Sequence, residues 1–346
     1  MDLQVVDPVQ DHTWDSLVLS HPNYHFFHST CWARVLCKTY GHRAVYLRCF
    51  QQGELKALVP MMDVRSFLTG CRGVCLPFTD FCSPLIFSDR DRVWPSVVAT
   101  LTQVARERKW KYFEIRGGRA LDPSTKPAAG YYGHRLDLGG STEELFASLK
   151  SSARRAVRKA ERSRLRVEVT RTRDALLDFY RLHAATRRRH GVPPQSVAFF
   201  LNIYDEIIRQ NLGFVAVASM AACPVAAAVF LHFGKRAVYK FGASDHKFQE
   251  FRGSNLAMWE GIRFLTENGF ETVHFGRTAL ENDGLRRFKQ TWGAEEDRIE
   301  YLRFGPIAEA KAKTQATTSG VHRSVFGRLP VSLNCLAGTL IYPHLD

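Results

Sequence analysis

No stretch of the chain approaches the roughly 18 to 20 uninterrupted apolar residues that a membrane span requires, and the start, Met1-Asp2-Leu3-Gln4, has neither the basic region nor the apolar core of a signal segment. A cytoplasmic protein is expected. Cysteines number 8, at positions 31, 37, 49, 71, 75, 82, 223 and 335, yet no two form a C-x-x-C and no histidine pair follows at zinc-finger spacing. Reduced structural thiols and no metal site follow from that pattern. Acidic side chains are also in deficit, with Asp+Glu at 34 against Lys+Arg at 48 and a formal charge of +14.

What is present is enough for two ordinary domains: 346 residues, 45% hydrophobic, can bury two cores without disulfides or metals. The positive charge is concentrated. Between Lys150 and His190 the sequence has fourteen Lys or Arg residues and four acidic ones. A field of that kind suits a polyanionic partner such as RNA, a nucleotide-linked substrate or an anionic membrane face. The plainer reading is a solvated helical face.

Two segments share a layout. Residues 44–50 and 55–61 read as strands around a turn at 51–53, and 214–219 and 225–233 as strands around a turn at 220–224, followed by a third strand at 237–241. Each hairpin precedes a helical stretch (93–108, 254–268) and then a short strand (112–115, 272–275). The hairpins are offset by about 170 residues and the later strands by about 160, which points to a duplication. The helix at 254–268 has Ser254 as its expected N-cap, with Met258, Trp259, Ile262 and Leu265 on one face and Gly269 as its stop. Between the halves, Ser141 or Thr142 caps a helix in which Leu145, Leu149, Ala153, Val157 and Ala160 form an apolar stripe, the arginines taking the other faces. The expected organisation is a first lobe at 1–140, a second at 141–304 containing the basic helix at 145–164, and a linker with an apolar tail at 305–346.

Hairpin, third strand, helix, strand and a terminal strand at 298–304 is the order of a GNAT-type acyltransferase, whose donor lies in a splayed sheet with its phosphates at the N-terminus of the helix after the central strand. CoA-binding members carry R/Q-x-x-G-x-G/A there, because small residues let backbone N–H groups approach a pyrophosphate. This chain reads Gln249-Glu250-Phe251-Arg252-Gly253-Ser254, with Arg252 where the first glycine belongs. Further on, Gly276-Arg277, Gly284-Leu285-Arg286-Arg287-Phe288-Lys289 and Trp292-Gly293-Ala294 resemble the G-L-x-x-F-K signature of FemAB-like proteins, and Arg154 to Ala160 resembles their R-x-x-I-R-K-A segment. Phe26-Phe27 to Trp32, Leu76 to Asp80 with Pro84, and Thr186 to Arg189 are weaker matches. The resemblance covers 26–304 and favours the branch found with exopolysaccharide systems. Where peptidoglycan enzymes of the family have a lysine four residues after Trp32, this chain has Leu36.

The resemblance implies an α/β (α+β) fold of two tandem GNAT-like lobes, with mixed, mainly antiparallel sheets flanked by helices and the catalytic apparatus in the second lobe. It places Lys289 at the reaction centre beside Phe288, Tyr239 at the acceptor site, and Arg189 on an acceptor phosphate. Amide formation needs a route for the amine proton and a cation or N–H group for the tetrahedral oxyanion. Lys289 or Arg277 supplies the second and Tyr239 the first. Lys289 reads as the cation whose removal leaves folding nearly intact. Asp80 and Asn255 are further substrate-binding candidates, whereas Asp245, His246 and His274 suit turn or packing roles. Arg154, Arg155, Arg158 and Lys159 form the polyanion face. No bound cofactor is expected.

The leading function is transfer of an aminoacyl group from aminoacyl-tRNA to an amine of a nucleotide- or lipid-linked envelope or exopolysaccharide precursor. One alternative uses acyl-CoA to acylate an amino sugar or amino acid. Another is a non-catalytic RNA-binding or assembly protein. The tail at 330–341 has Leu333, Leu336, Ala337, Leu340 and Ile341 on a helical stripe with Arg323 and Arg328 upstream, which reads either as a peripheral membrane contact or as a helix docked on the first lobe.

Overall fold

The computed structural model describes residues 2–118, 120–305 and 326–345. The chain divides into two compact units: Met1–Tyr132 with the segment from Arg298 and the last residues from Pro343, and Gly133–Asp297 with the tail up to Tyr342.

The first unit runs through β1 (Asp2–Val6), α1 (Trp14–Leu19), α2 (Thr30–Tyr40), β2 (Arg43–Ala44), β3 (Tyr46–Gln51), β4 (Glu54–Val59), β5 (Met62–Ser66), β6 (Gly70–Val74), β7 (Leu85–Ile86), α3 (Arg90–Glu107) and β8 (Phe113–Arg116). β1, β3, β4 and β7 pair in that order, while β2, β5, β6 and β8 pair in another sheet. The strand expected at 55–61 stops at Val59. Pro60 has no N–H to give to a ladder, the carbonyl of Met61 is taken by the Val45 amide, and β5 starts anew at Met62 in the other sheet. β5 and β6 form an antiparallel hairpin, and α3 then returns the chain so that β8 runs parallel to β6.

In the second unit, the part of β9 (Ala129–Asp137) from Gly133 is followed by α4 (Thr142–Ser148), α5 (Ser151–Arg162), β10 (Arg166–Thr170), α6 (Arg173–Arg189), α7 (Val197–Ile203), β11 (Gly213–Met220), β12 (Cys223–Phe233), β13 (Arg236–Ser244), α8 (Gly253–Glu267), β14 (Thr272–His274), β15 (Thr278–Ala279), α9 (Asp283–Gln290) and the start of β16 (Glu295–Phe304). The order β10-β11-β12-β13-β14-β9 is antiparallel except at β13–β14. The fold is therefore the mixed α/β type with mainly antiparallel sheets and flanking helices. Both units contain a hairpin, a helix and a parallel strand: β5–β6–α3–β8 and β12–β13–α8–β14. The first-unit strand equivalent to β13 is β6, whose sequence Gly-Cys-Arg-Gly-Val has no strand-like alternation to announce it.

α8 buries Met258, Trp259, Ile262 and Leu265 against Phe214, Ala216 and Phe230 of the sheet, each such side chain contributing about 1.5–3 kcal/mol when fully buried. Its N-cap is Arg252, in the left-handed conformation at φ 60°, and not Ser254. The basic segment is likewise two helices and not one. Ser141, one of the two expected caps, starts α4 and forms a capping box with Glu144, but Leu149 and Lys150 are extended, the Lys150 amide donating to the Thr291 carbonyl at 3.0 Å. The whole apolar stripe of Leu145, Leu149, Ala153, Val157 and Ala160 is still buried, because a break of two extended residues lets both helices turn the same face inward.

The tail forms α10 (Val331–Ile341), which packs on α6 within the second unit. Asn334 Nδ2 donates to the Val192 carbonyl at 3.3 Å and Arg187 Nη2 to the Tyr342 hydroxyl at 2.9 Å. Arg323 lies outside the described residues. No helix among the described residues is long and apolar enough to cross a membrane.

Candidate functional site

β13 and β14 pair only from Arg236 to Val238 and from Thr272 to His274, although β13 continues to Ser244. The sheet opens from Tyr239 onward. At that point β13 has a bulge: Phe230 faces Tyr239 and Val229 faces Phe241, leaving Lys240 as the extra residue. The bulge puts Tyr239 and Gly242 on one face and Phe241 on the other, where it packs against Phe179 of α6. The Tyr239 ring meets Phe230 at 5.5 Å and Phe275, the first residue after β14, at 6.4 Å. Burial pushes its phenol up to about 12, so it is held in the protonated form at neutral pH.

Beyond β14 the chain is held by Lys289, which is 3% exposed, and whose ammonium donates to the carbonyls of Gly276 and Arg277 at 2.9 Å each. The side chain reaches them from the last turn of α9, whose N-terminus is capped by Asn282. Lys289 is thus a buried cation that holds the turn following β14. The expectation that its removal would leave folding intact is corrected by these two bonds, since the carbonyls it satisfies would lose their partner.

Around Lys289 lies a polar cluster that sequence reasoning missed. Arg286 makes a two-pronged contact with Glu296 at 2.7 and 2.6 Å, Gln290 donates to the same carboxylate, and His134 Nε2 lies 3.2 Å from it. The Arg286 hydrogen bonds hold the Glu296 carboxyl below its usual range. His134 is fully buried, and burial followed by the Lys289 charge lowers its pKa to about 4. No motif surrounds His134 in the sequence. Its partners come from segments about 150 residues away, so only the fold reveals it.

The remaining candidates are dispersed. Phe288 packs edge-on to Trp292 at 6.0 Å, and Arg277 is half-buried beside Gly276. Asn255 is in the first turn of α8, its amide on the Arg252 carbonyl at 2.9 Å. Arg189 ends α6, on the face opposite Tyr239, and is exposed. Asp80 belongs to the first unit, where its carbonyl accepts from the Tyr301 hydroxyl at 2.8 Å. Asp245 caps the turn before α8 through the Lys247 amide, and His274 Nδ1 accepts from the Gly276 amide. Arg155, Arg158 and Lys159 are exposed on α5, with Arg158 over the Phe146 ring. Arg154 is committed in part, donating to the Ala147 carbonyl at the end of α4 at 2.7 Å.

Two other features stand apart from the opening. A groove of about 1150 Å³ lies along β10 and the start of α6, lined by Arg164, Arg166, Glu168, Asp174 and Asp178; β10 is separated from β14 by three strands. In the first unit His25, His28 and Cys82 place ligand atoms within 4.8 Å of one another. His28 already accepts the His25 amide on Nδ1 and contacts the Ser83 carbonyl through Nε2, while burial pushes the Cys82 thiol well up. A thiol held protonated and an imidazole with both nitrogens engaged make a poor donor set for zinc.

Residues 147–290 match the family model described as an acetyltransferase (GNAT) domain. No curated protein matches the chain. Among solved structures, FemX is similar at 16% identity and TM-score 0.69, over 87% of this chain and 97% of its own. A C-terminal domain assigned to a lysylphosphatidylglycerol synthetase from Agrobacterium fabrum is similar at 15% and 0.54, over 88% and 92%. A tandem GNAT protein from the clavulanic acid biosynthesis pathway follows at 10% and 0.56, over 88% and 98%. The chain is thus an acyltransferase whose residues 147–290 form a domain of the GNAT type, and it shares its fold with these solved structures.

Proposed function

We propose that the chain is an amide-forming acyltransferase of the FemAB-like kind, moving an aminoacyl group from aminoacyl-tRNA to an amine of a cell-envelope or exopolysaccharide precursor, with the chemistry at the opening between β13 and β14. The observation that carries the choice of donor is the start of α8. Arg252 occupies the N-cap in a left-handed turn, and Gly253 is used for packing, since a Cβ there would lie 3.3 Å from Ala226 and 3.4 Å from Val225. Arg252 therefore stands where the small-residue cradle of a CoA pyrophosphate needs its first glycine. Exposed Arg155, Arg158 and Lys159 instead suit the phosphates of an RNA. A lysylphosphatidylglycerol synthetase, by its name, also joins an amino acid to a carrier, which fits this reading.

In this scheme the acceptor amine attacks the donor carbonyl beside Tyr239. The phenol hands its proton to the departing ribose oxygen and regains one from the ammonium formed, so the proton count balances. Lys289 fixes the Gly276–Arg277 turn and sets a positive charge at the mouth of the opening, where the oxyanion develops. Native mass spectrometry of the purified protein with charged tRNA and with acetyl-CoA separates the readings. A tRNA complex without a CoA complex supports the proposal; stoichiometric CoA binding without tRNA transfers it to the acyl-CoA alternative, in which the same opening acylates an amino sugar or amino acid.

A further inference from the structure

α10 is docked inside out. The residues it buries are Asn334 and Gly338, while Leu333, Leu336 and Leu340 are 50%, 57% and 64% exposed. At about 100° per residue the three leucines fall within roughly 60° of one another, and Asn334 and Gly338 lie on the opposite side. Gly338 is required for this orientation, because a Cβ there would lie 1.9 Å from the Pro194 carbonyl oxygen. The Asn334 bond to Val192 and the Tyr342 bond to Arg187 fix the rotation of the helix. An apolar stripe is thus held outward by polar anchors, the reverse of what burial alone would select.

From this geometry we infer that the Leu333–Leu336–Leu340 face seats the protein on an anionic lipid surface, with α10 lying in the plane of the headgroups. Three observations select lipid over a protein. The face is purely aliphatic, with none of the aromatic or methionine side chains that enrich protein interfaces. An 11-residue helix offers a strip only about 17 Å long and 10 Å wide, well short of the roughly 800 Å² per partner of a stable dimer. The third is charge. α10 runs along α6, with Cys335 meeting the Tyr180 hydroxyl and Tyr342 meeting Arg187, so the C-terminal ends of the two helices lie together and bring the last turn of α6, with exposed Arg189, to the end of α10 that carries Leu340. An aliphatic stripe with a basic helix end at its C-terminal side matches an interface of acyl chains and anionic headgroups.

The test is flotation of the full chain with vesicles of phosphatidylcholine alone or mixed with phosphatidylglycerol, beside the variant Leu333→Gln/Leu336→Gln/Leu340→Gln. The three positions are at least half exposed, so the fold is retained and the net charge is unchanged. Wild type is expected to float with the mixed vesicles and the variant to retain less than a tenth of that binding. Equal flotation of both would reduce the effect to the protein's overall charge and overturn the inference, as would no flotation of the wild type at low salt. Sedimentation velocity supplies the remaining outcome: a wild-type dimer that the variant breaks to monomer assigns the face to a second copy instead of a lipid surface. None of these results depends on which acyl donor the opening takes.

Discussion

The Tyr239 hydroxyl occupies the space that a side chain on Gly242 would need: a Cβ there would lie 1.7 Å from the phenolic oxygen. The bulge at Lys240 is what turns these two residues to the same face. Gly242→Ala is therefore expected to act as a disguised Tyr239 variant. It should lower acyl transfer toward the level of Tyr239→Phe, about 10²- to 10⁴-fold if the phenol is the proton donor. Both variants should lose kcat with little change in KM for the donor. Full activity in Gly242→Ala together with a displaced Tyr239 ring would remove the phenol from the reaction.

Lys289→Met should cost both stability and turnover. Two carbonyls that Lys289 now satisfies would be left in a buried setting, about 1–3 kcal/mol for such a loss and a fall in Tm of several degrees. If the cation also faces the oxyanion, turnover falls by a further factor of about 100 to 1000. Measuring kcat well below the new Tm separates the two effects. A stable, fully active Lys289→Met protein would leave Arg277 as the remaining cationic candidate.

Acid should weaken the fold through buried imidazoles. His28, His134, His183 and His232 are each held by burial near pKa 4, against an ordinary 6.5. Between those values the unfolded chain takes up protons that the folded chain refuses. Their contribution is therefore complete above about pH 7 and is lost as pH falls through 4. Glu296, lowered by Arg286, adds to the loss at the acid end. Urea midpoints measured from pH 7.5 to 5 should decline, and His134→Gln should make that decline shallower. An unchanged slope in the variant would mean that His134 is protonated as readily in the folded state as outside it.

Affinity for tRNA should depend steeply on salt, and Arg155→Ala/Arg158→Ala/Lys159→Ala should reduce the slope of log K against log salt by about two to three. Arg154 is left out of that set because it is engaged with the Ala147 carbonyl. A slope that the triple variant leaves unaltered would move the polyanion contact elsewhere on the protein.

Periodic signals made the large elements legible in the sequence: α8, the β11–β12 hairpin and the helix start at Ser141 are local patterns that tertiary packing confirmed. The failures share another cause. The break at Leu149–Lys150 depends on a bond to Thr291, and the end of β4 on Pro60 at a change of sheet; β6 has glycines where strand formers usually signal. In the site, Lys289 and Tyr239 stood out as sequence candidates, but what each touches did not. His134 escaped notice altogether because burial gives a lone histidine its character, and burial is a property of the fold.

The bond from the Lys150 amide to the Thr291 carbonyl makes one proton a natural reporter. It stands at the first turn of the arginine-rich helix α5, while its acceptor follows Lys289 by two residues. Exchange of that single amide with deuterated solvent requires the two segments to part, so its protection factor measures how firmly the basic helix and the Lys289 helix are clasped.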